Sequence, residues 1–348
     1  MKTLVIAACS VLWLGTAIPA PDAESDAFTA AYGLKTKGQS AQAAAAFEAI
    51  AAAYPESPRL GEALVEAGVG WFAVGKSRQL LHRSNPQSDE AFGKAAELFA
   101  RVSTDRKSDP AAGRAQYMLG STALFQGDLA GAENAYGAVL EKFPGDPKYA
   151  PKALERRATV RRHLLQDDLA LADLRLYLEK YPQGEETASV SRYIQFAAMN
   201  GKPAPALDAE VWVQGGPHSI DKLRGRVVGV YFFATWCEKC EAELPFLLDL
   251  ERRLSPAGFV LVGVIDHNKG QTVESAKKYC GEHRIPFAVM MDKGSTMKAY
   301  SGQVIPELIL IDREGRVRWH DHPASLSDYT IETLLGEESS SKAPGSPK

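Results

Sequence analysis

The sequence predicts a multidomain protein in which an all-α solenoid of helical repeats precedes an α/β domain. From about Asp26 to Met199 the pattern is helical, rich in alanine and repetitive, without a convincing alternating strand. Beyond Asn200, buried apolar strands alternate with helical segments. The 348 residues are 45% hydrophobic and 24% charged, which excludes a wholly disordered chain. A formal net charge of −3 gives no electrostatic reason to expect binding to nucleic acid.

Residues 1–23 are predicted to be a secretory signal peptide. Lys2 precedes the apolar run Leu4–Leu14, and small residues follow as far as Ala20. The run is shorter than the roughly 20 residues that a membrane helix needs. The cleavage site stays open, and so does lipidation of Cys9, although a cysteine in the middle of an apolar run is more simply a bystander. We expect a periplasmic or otherwise secreted protein, with membrane association left open.

Helical repeats are predicted for residues 24–199. Large residues at i, i+3 and i+7 lie on one face of a helix, and a proline ends each of these helices. This pattern, called the repeat frame below, occurs at Ala46–Pro55, Ala135–Pro144 and Asp173–Pro182, with a weaker copy at Leu98–Val102. The large residues Phe47, Phe99, Tyr136 and Leu174 recur at intervals of 52, 37 and 38 residues, the first of which contains an insert. Such a period indicates a solenoid of helical hairpins.

These hairpins resemble tetratricopeptide repeats, with an insert around Ser77–Ser88. The resemblance implies a surface that holds a peptide or a protein. The alternative for the individual aromatic residues is that they only pack between helices.

An α/β domain is predicted for residues 200–336, after a linker at Asn200–Pro205. The buried strands Arg226–Ala234 and Phe259–Asp266 flank the helix Cys240–Ser255, which makes a βαβ unit with a parallel sheet. Two further strands, Glu307–Asp312 and Val317–Trp319, follow with a turn between them. Residues 337–348 are predicted to be a disordered tail.

The predicted chemistry lies in the pair Cys237 and Cys240, at a junction of strand and helix. Four cysteines are too few for a disulfide scaffold, so a functional cysteine in this chain is expected to take part in chemistry rather than in structural cross-linking. The helix N-terminus stabilises a thiolate at Cys237, and one helical turn brings Cys240 within bonding distance. Cys237 would attack a substrate disulfide and Cys240 would release the product. The same geometry run backwards would oxidise a dithiol.

Four motifs in order resemble the TlpA/ResA branch of the thioredoxin-like family. They are Leu223–Val228, the Cys-x-x-Cys segment Ala234–Pro245, Val304–Pro306 and Leu310–Arg316. The resemblance implies a thioredoxin-like fold and an extracytoplasmic thiol-disulfide oxidoreductase, for which we favour the reductase direction. Such proteins serve cell redox homeostasis and often cytochrome c maturation. The resemblance also implies a protein client with a disulfide or dithiol and a membrane or periplasmic electron donor. It implies no cofactor beyond the redox-active disulfide of Cys237 and Cys240.

The same resemblance assigns residue roles. Glu243 corresponds to a partly buried glutamate that handles the proton of the resolving thiol, and a buried carboxylate beside Cys240 would suit a general base. Its alternative is a solvated helix glutamate. Trp236, Ile305 and Pro306 are placed in substrate binding, with Pro306 as a cis-proline rather than an ordinary trans proline at the start of a strand.

Three departures from the family pattern affect the site. The pair Glu238-Lys239 lacks the proline common before the second cysteine, which leaves the reduction potential open. Glu307 stands where many relatives have threonine, which could alter substrate choice. Tyr231 stands where thioredoxin itself has a buried aspartate, so proton handling should fall to Glu243.

Other function classes remain as alternatives. The dithiol together with Cys280 and His283 could make a zinc site, but we expect Cys280 to be a buried thiol on the apolar face of a helix. His320 and His322 could bind copper, although we expect these histidines to lie in a solvated loop. No metal site is therefore assigned. A scaffold whose repeats bind a partner while the dithiol is incidental is the remaining alternative.

Overall fold

A computed structural model of the protein describes residues 21–79, 85–106, 108–266, 270–300 and 304–337. Most of the predicted signal peptide, including Cys9, and all but the first residue of the predicted tail lie outside the described residues, as does part of the predicted insert. Within the described residues no helix combines the length and the apolar character needed to cross a membrane.

The described part of the N-terminal region is all helical, as predicted. Nine helices occur there: α1 Pro21–Thr36, α2 Ser40–Ala53, α3 Leu60–Arg78, α4 Pro86–Asp105, α5 Ala112–Phe125, α6 Leu129–Lys142, α7 Tyr149–His163, α8 Asp167–Lys180 and α9 Thr187–Ala197. Each helix packs mainly against its neighbours in the sequence, which is the arrangement of a helical solenoid.

The large residues of the repeat frame form the core between these helices. Phe47, Phe99, Tyr136 and Leu174 are all buried, so packing accounts for them, in agreement with the alternative weighed above. Close helix contact requires small residues opposite the rings: a Cβ added at Gly68 would lie 2.6 Å from the Phe99 ring. Helices α2, α6 and α8 end immediately before the aromatic residue and proline of the frame, as expected because proline cannot continue a helix.

The second region contains a six-stranded sheet with the strand order β1-β4-β3-β2-β5-β6. Its strands are β1 Val211–Gln214, β2 Val227–Phe233, β3 Phe259–Asp266, β4 Ala288–Asp292, β5 Glu307–Ile311 and β6 Val317–Asp321. The predicted βαβ unit is confirmed, with β2 and β3 parallel, and β4 extends the parallel set. The sheet as a whole is mixed because β1, β5 and β6 pair antiparallel to their neighbours. The sequence analysis missed β1 and β4.

Helices cover both faces of this sheet. They are α10 Glu238–Leu254, α11 Val273–Glu282, α12 Ser295–Ala299 and α13 Asp328–Gly336. One face packs against the apolar side of α10 through Leu244, Leu247 and Leu250. The opposite face buries Phe232 and Ile309 with Tyr300. Two apolar layers on one sheet hold the ends of β2 and β5 in place, and the candidate site lies there.

The helical region covers the outer edge of the sheet at β6. Arg162, near the end of α7, pairs with Asp321 at 3.1 Å and donates a hydrogen bond to the backbone oxygen of His320. The predicted linker also lies along this strand, since Gly201 N donates to Val317 O at 2.7 Å. Covering an edge strand satisfies its free backbone groups and blocks pairing with other chains.

A histidine, His163, lies at this junction. It is buried, its backbone oxygen accepts a hydrogen bond from Thr330 Oγ1 at 2.9 Å, and its ring lies 6.2 Å from that of Trp319. Burial, with a smaller contribution from Arg162, lowers the pKa of His163 from 6.5 to about 4. The imidazole is therefore neutral in the folded protein at pH 5 and protonated in the unfolded chain.

We expect the free energy of unfolding to fall as the pH drops from 6.5 to 4, by about 3 kcal/mol from this group. Above pH 6.5 the histidine is neutral in both states and the effect is absent. Replacement of His163 by Asn should flatten the profile over this window, as measured by urea unfolding at each pH. Carboxylates contribute equally to both proteins, so identical profiles would contradict the prediction.

Candidate functional site at the start of helix α10

The two cysteines of the motif lie where β2 passes into α10. Cys237 is the N-cap residue of this helix, and its Sγ accepts a hydrogen bond from the backbone N–H of Cys240 at 3.1 Å. The two residues are joined by a disulfide, with their Cα atoms 5.2 Å apart. In the reduced state the same N–H group and the positive end of the helix dipole would stabilise a thiolate at Cys237.

The two sulfur-bearing residues differ in exposure. Cys237 is partly exposed, whereas Cys240 is completely buried. An incoming molecule can therefore reach only Cys237, and Cys240 is placed to attack a bond that Cys237 has already formed. This asymmetry is the arrangement that nucleophilic attack followed by resolution requires.

The buried side of the pair carries two polar groups. Tyr231 donates a hydrogen bond to the backbone oxygen of Cys240 at 3.2 Å, a contact that the sequence analysis did not foresee. Glu243 lies one helical turn after Cys240 and is 7% exposed, so the alternative of a solvated glutamate is wrong. Burial, and to a smaller extent Tyr279 and the carboxylate of Glu243, raise the pKa of Tyr231, which stays protonated as a donor. The proton-handling role of Glu243 stays a prediction.

The segment Val304–Pro306 leads into the strand beside the one that ends before the dithiol. β2 and β5 are antiparallel, with Phe232 opposite Glu307, so the end of β2 and the start of β5 lie at one edge of the sheet. The Ile305–Pro306 bond is cis, Pro306 is buried, and Ile305 packs against the core that contains Cys240. The roles of Ile305 and Pro306 in substrate binding stay predictions.

Two large apolar side chains near the ends of these strands are exposed. Trp236 and Val304 are each 50% exposed. Trp236 directly precedes Cys237, and Val304 comes two residues before Pro306. Exposed apolar side chains at the edge of the sheet that carries the dithiol suit contact with another protein.

Among the described residues, no group of three or more histidine, cysteine, aspartate or glutamate side chains is placed to hold a metal ion. His283 lies against the ring of Tyr279, with ring centroids 4.2 Å apart. The expectation of a solvated loop at His320 is wrong, because β6 continues to Asp321 and His320 is 4% exposed. Its Nε2 lies 2.6 Å from Glu307 Oε1. A histidine and a glutamate at inward positions of adjacent strands could have indicated this pair.

Cys280 is a buried free thiol, as predicted. Burial raises its pKa to about 11, so at pH 8 only about one molecule in a thousand carries a thiolate there. We expect iodoacetamide at pH 8 to modify Cys237 in the reduced protein and to leave Cys280 unmodified until the chain is unfolded, as followed by peptide mass spectrometry. Stoichiometric labelling of Cys280 in the folded protein would contradict this.

Family comparisons agree with this geometry. Residues 199–335 match the family model described as Redoxin. This segment is a redoxin domain. Residues 114–146, which span α5 and α6, match the tetratricopeptide repeat model.

Relatives of the redoxin domain carry the name thiol-disulfide oxidoreductase ResA. The protein from one strain of Bacillus cereus is 27% identical over 146 residues, which are 42% of this chain and 75% of the relative. That from Geobacillus kaustophilus is 28% identical over 107 residues, 30% of this chain and 60% of the relative. A solved thiol:disulfide interchange protein from Chlorobium tepidum is 29% identical, with 38% of this chain and 96% of that chain covered and a TM-score of 0.34.

The two family models and the described elements confirm the predicted fold class in both parts, helical repeats followed by an α/β redoxin domain. The predicted enzyme class, a thiol-disulfide oxidoreductase, is confirmed as well.

Proposed function

We propose that the protein is an extracytoplasmic disulfide reductase whose helical repeats bind the client protein that the redoxin domain reduces. The observation that carries the proposal is the asymmetry of the dithiol, with Cys237 partly exposed at a helix N-terminus and Cys240 buried behind it. The predicted secretory segment and a disulfide that must be opened and closed both suit an oxidising compartment.

Reduction of a client proceeds in two exchanges. The Cys237 thiolate attacks one sulfur of the client disulfide, which forms a mixed disulfide and releases the other client sulfur as a thiolate. The Cys240 thiolate then attacks the Cys237 sulfur, releases the second client thiol and leaves the Cys237–Cys240 disulfide. Two electrons have passed to the client, and a membrane or periplasmic dithiol donor must return them.

Proton handling during resolution falls to Glu243 in this proposal. Cys240 must lose its proton before it attacks, and water has little access to a completely buried thiol. Glu243 supplies a buried carboxylate one turn along α10, where a general base for this thiol is needed. Tyr231 holds the backbone of Cys240 through its hydrogen bond to the carbonyl oxygen.

The helical repeats would act by raising the local concentration of the client. The end of α7 contacts β6 of the redoxin domain directly, through Arg162 and Asp321. A client bound to the repeats is therefore held at a restricted distance from Cys237, and its reaction becomes effectively intramolecular. A small disulfide that does not contact the repeats would lose this advantage.

The reduction potential of Cys237 and Cys240 tests the direction of the reaction. We expect a reduction potential of about −270 mV, as for thioredoxin, together with turnover of insulin disulfides by the reduced protein. A reduction potential of about −120 mV, as for a strong oxidant, would overturn the reductase direction. A dithiol inert to both oxidants and disulfides would overturn the function itself.

A further inference from the structure

A buried contact between a glutamate and a histidine begins at the residue that follows Pro306. Glu307, the first residue of β5, is 6% exposed, and His320 of β6 is 4% exposed. Glu307 Oε1 lies 2.6 Å from His320 Nε2. The two atoms approach closely without the geometry of a hydrogen bond. Both side chains are buried and in contact, so each restricts where the other can lie.

The pair lies on the sheet face opposite α10. Along β5, Leu308 belongs to the core under α10 and Ile309 to the core of the other face, so Glu307 alternates onto the same face as Ile309. His320 pairs with Ile309 in the ladder between β5 and β6 and faces the same way. The carboxylate therefore holds the start of β5 from behind the site, without contact with either sulfur.

The helical region contacts His320 from its far side. The ring of Phe196, in α9, has its centroid 3.8 Å from that of the imidazole. Arg162 of α7 donates to the backbone oxygen of His320 and pairs with the adjacent Asp321. A chain of direct contacts thus runs from α9 through His320 to Glu307 and the peptide unit of Pro306.

We propose that Glu307 and His320 are positioning residues through which the helical region fixes the Val304–Pro306 segment for binding of a protein substrate. The inference rests on the proposed reductase function. The pair acts on docking of the substrate chain and leaves the reactivity of Cys237 unchanged. Loss of the contact between Glu307 and His320, or loss of the Phe196 ring that packs on His320, would loosen the Val304–Pro306 segment.

The test compares two disulfides that differ in what they need from the site. The small aromatic disulfide 5,5′-dithiobis(2-nitrobenzoic acid) needs only an accessible Cys237 thiolate, whereas insulin must also dock as a chain. We expect Glu307→Gln and Phe196→Leu in the full chain each to raise KM for insulin about tenfold, because each change loosens the segment that holds the substrate chain. Reaction with the small disulfide and the reduction potential should not change. The double variant should be no worse than Glu307→Gln alone, because both changes break one chain of contacts.

Matched controls separate positioning from general loss of stability. Glu251→Gln alters a carboxylate that accepts a hydrogen bond from Leu261 N on the other side of the sheet, and Phe92→Leu alters a buried ring in α4. Both should keep the wild-type KM for insulin. His320→Gln serves as the second probe of the pair if melting shows that Glu307→Gln does not fold.

Three results would overturn the inference. They are an unchanged KM for insulin in the folded variants, a parallel loss with both disulfides, and strictly additive effects of the Phe196 and Glu307 changes. A wild-type protein inert to both disulfides would instead overturn the proposed function, and this inference would fall with it.

Discussion

Replacement of Cys237 by Ser should abolish disulfide turnover, while replacement of Cys240 by Ser should stop the reaction halfway. Only Cys237 is exposed to an incoming disulfide, so its loss removes the first exchange altogether. Without Cys240, the mixed disulfide between Cys237 and the client forms but has no internal thiol to resolve it. The reduced Cys240→Ser protein should therefore accumulate as a covalent complex with client on non-reducing gels.

The matched control for this pair of variants is Cys280→Ala, which removes the buried thiol that the reaction does not use. Its turnover should equal that of the wild type. The assignment of roles would be wrong if Cys240→Ser still completed reduction, or if the complex formed through Cys240 in a Cys237→Ser protein. Retention of full cellular activity by Cys237→Ser would favour the scaffold alternative.

Replacement of Glu243 by Gln should slow the second exchange about a hundredfold, the lower range for loss of a general base. Gln keeps the size of the side chain and removes its capacity to take a proton from Cys240. The first exchange depends on Cys237 at the helix N-terminus and should keep its rate. Rapid mixing of reduced protein with insulin separates the two steps, because the mixed disulfide appears with the first and disappears with the second.

Glu241→Gln provides the control for this second prediction. Glu241 lies in the same helix but its side chain is 60% exposed, so it does not face the buried thiol. Resolution in this variant should proceed at the wild-type rate. Equal rates of resolution in Glu243→Gln and the wild type would exclude Glu243 as the base, and equal slowing of both exchanges would indicate a structural effect.

Much of the fold could be predicted because its signals are local. The i, i+3, i+7 spacing with a terminal proline marked the repeat helices, and continuous apolar runs marked β2 and β3. β1 and β4 were not predicted, for two reasons. β1, Val211–Gln214, has only four residues. β4, Ala288–Asp292, is also short and includes two methionines, which occur in strands and in helices. Their places in the sheet depend on partners far away in the sequence.

The candidate site divides in the same way. Cys237 and Cys240 could be predicted because spacing and a strand-to-helix junction are sequence features. The contact of Tyr231 with Cys240 could not, because it depends on how the helix packs on the sheet. The pairing of Glu307 with His320 was missed because the predicted second strand stopped at Trp319, although β6 continues through His320. The expectation of a solvated loop at His320 was wrong because a polar sequence does not show that the helical region will cover this strand.

The sequence by itself determined which chemistry the protein carries, because a dithiol at the start of a helix needs only four consecutive residues and a strand before them. The tertiary structure alone decided how completely Cys240 is buried and how the helical repeats contact the redoxin domain. Exposure and contact depend on what the rest of the chain packs around a residue, and no local pattern contains that information.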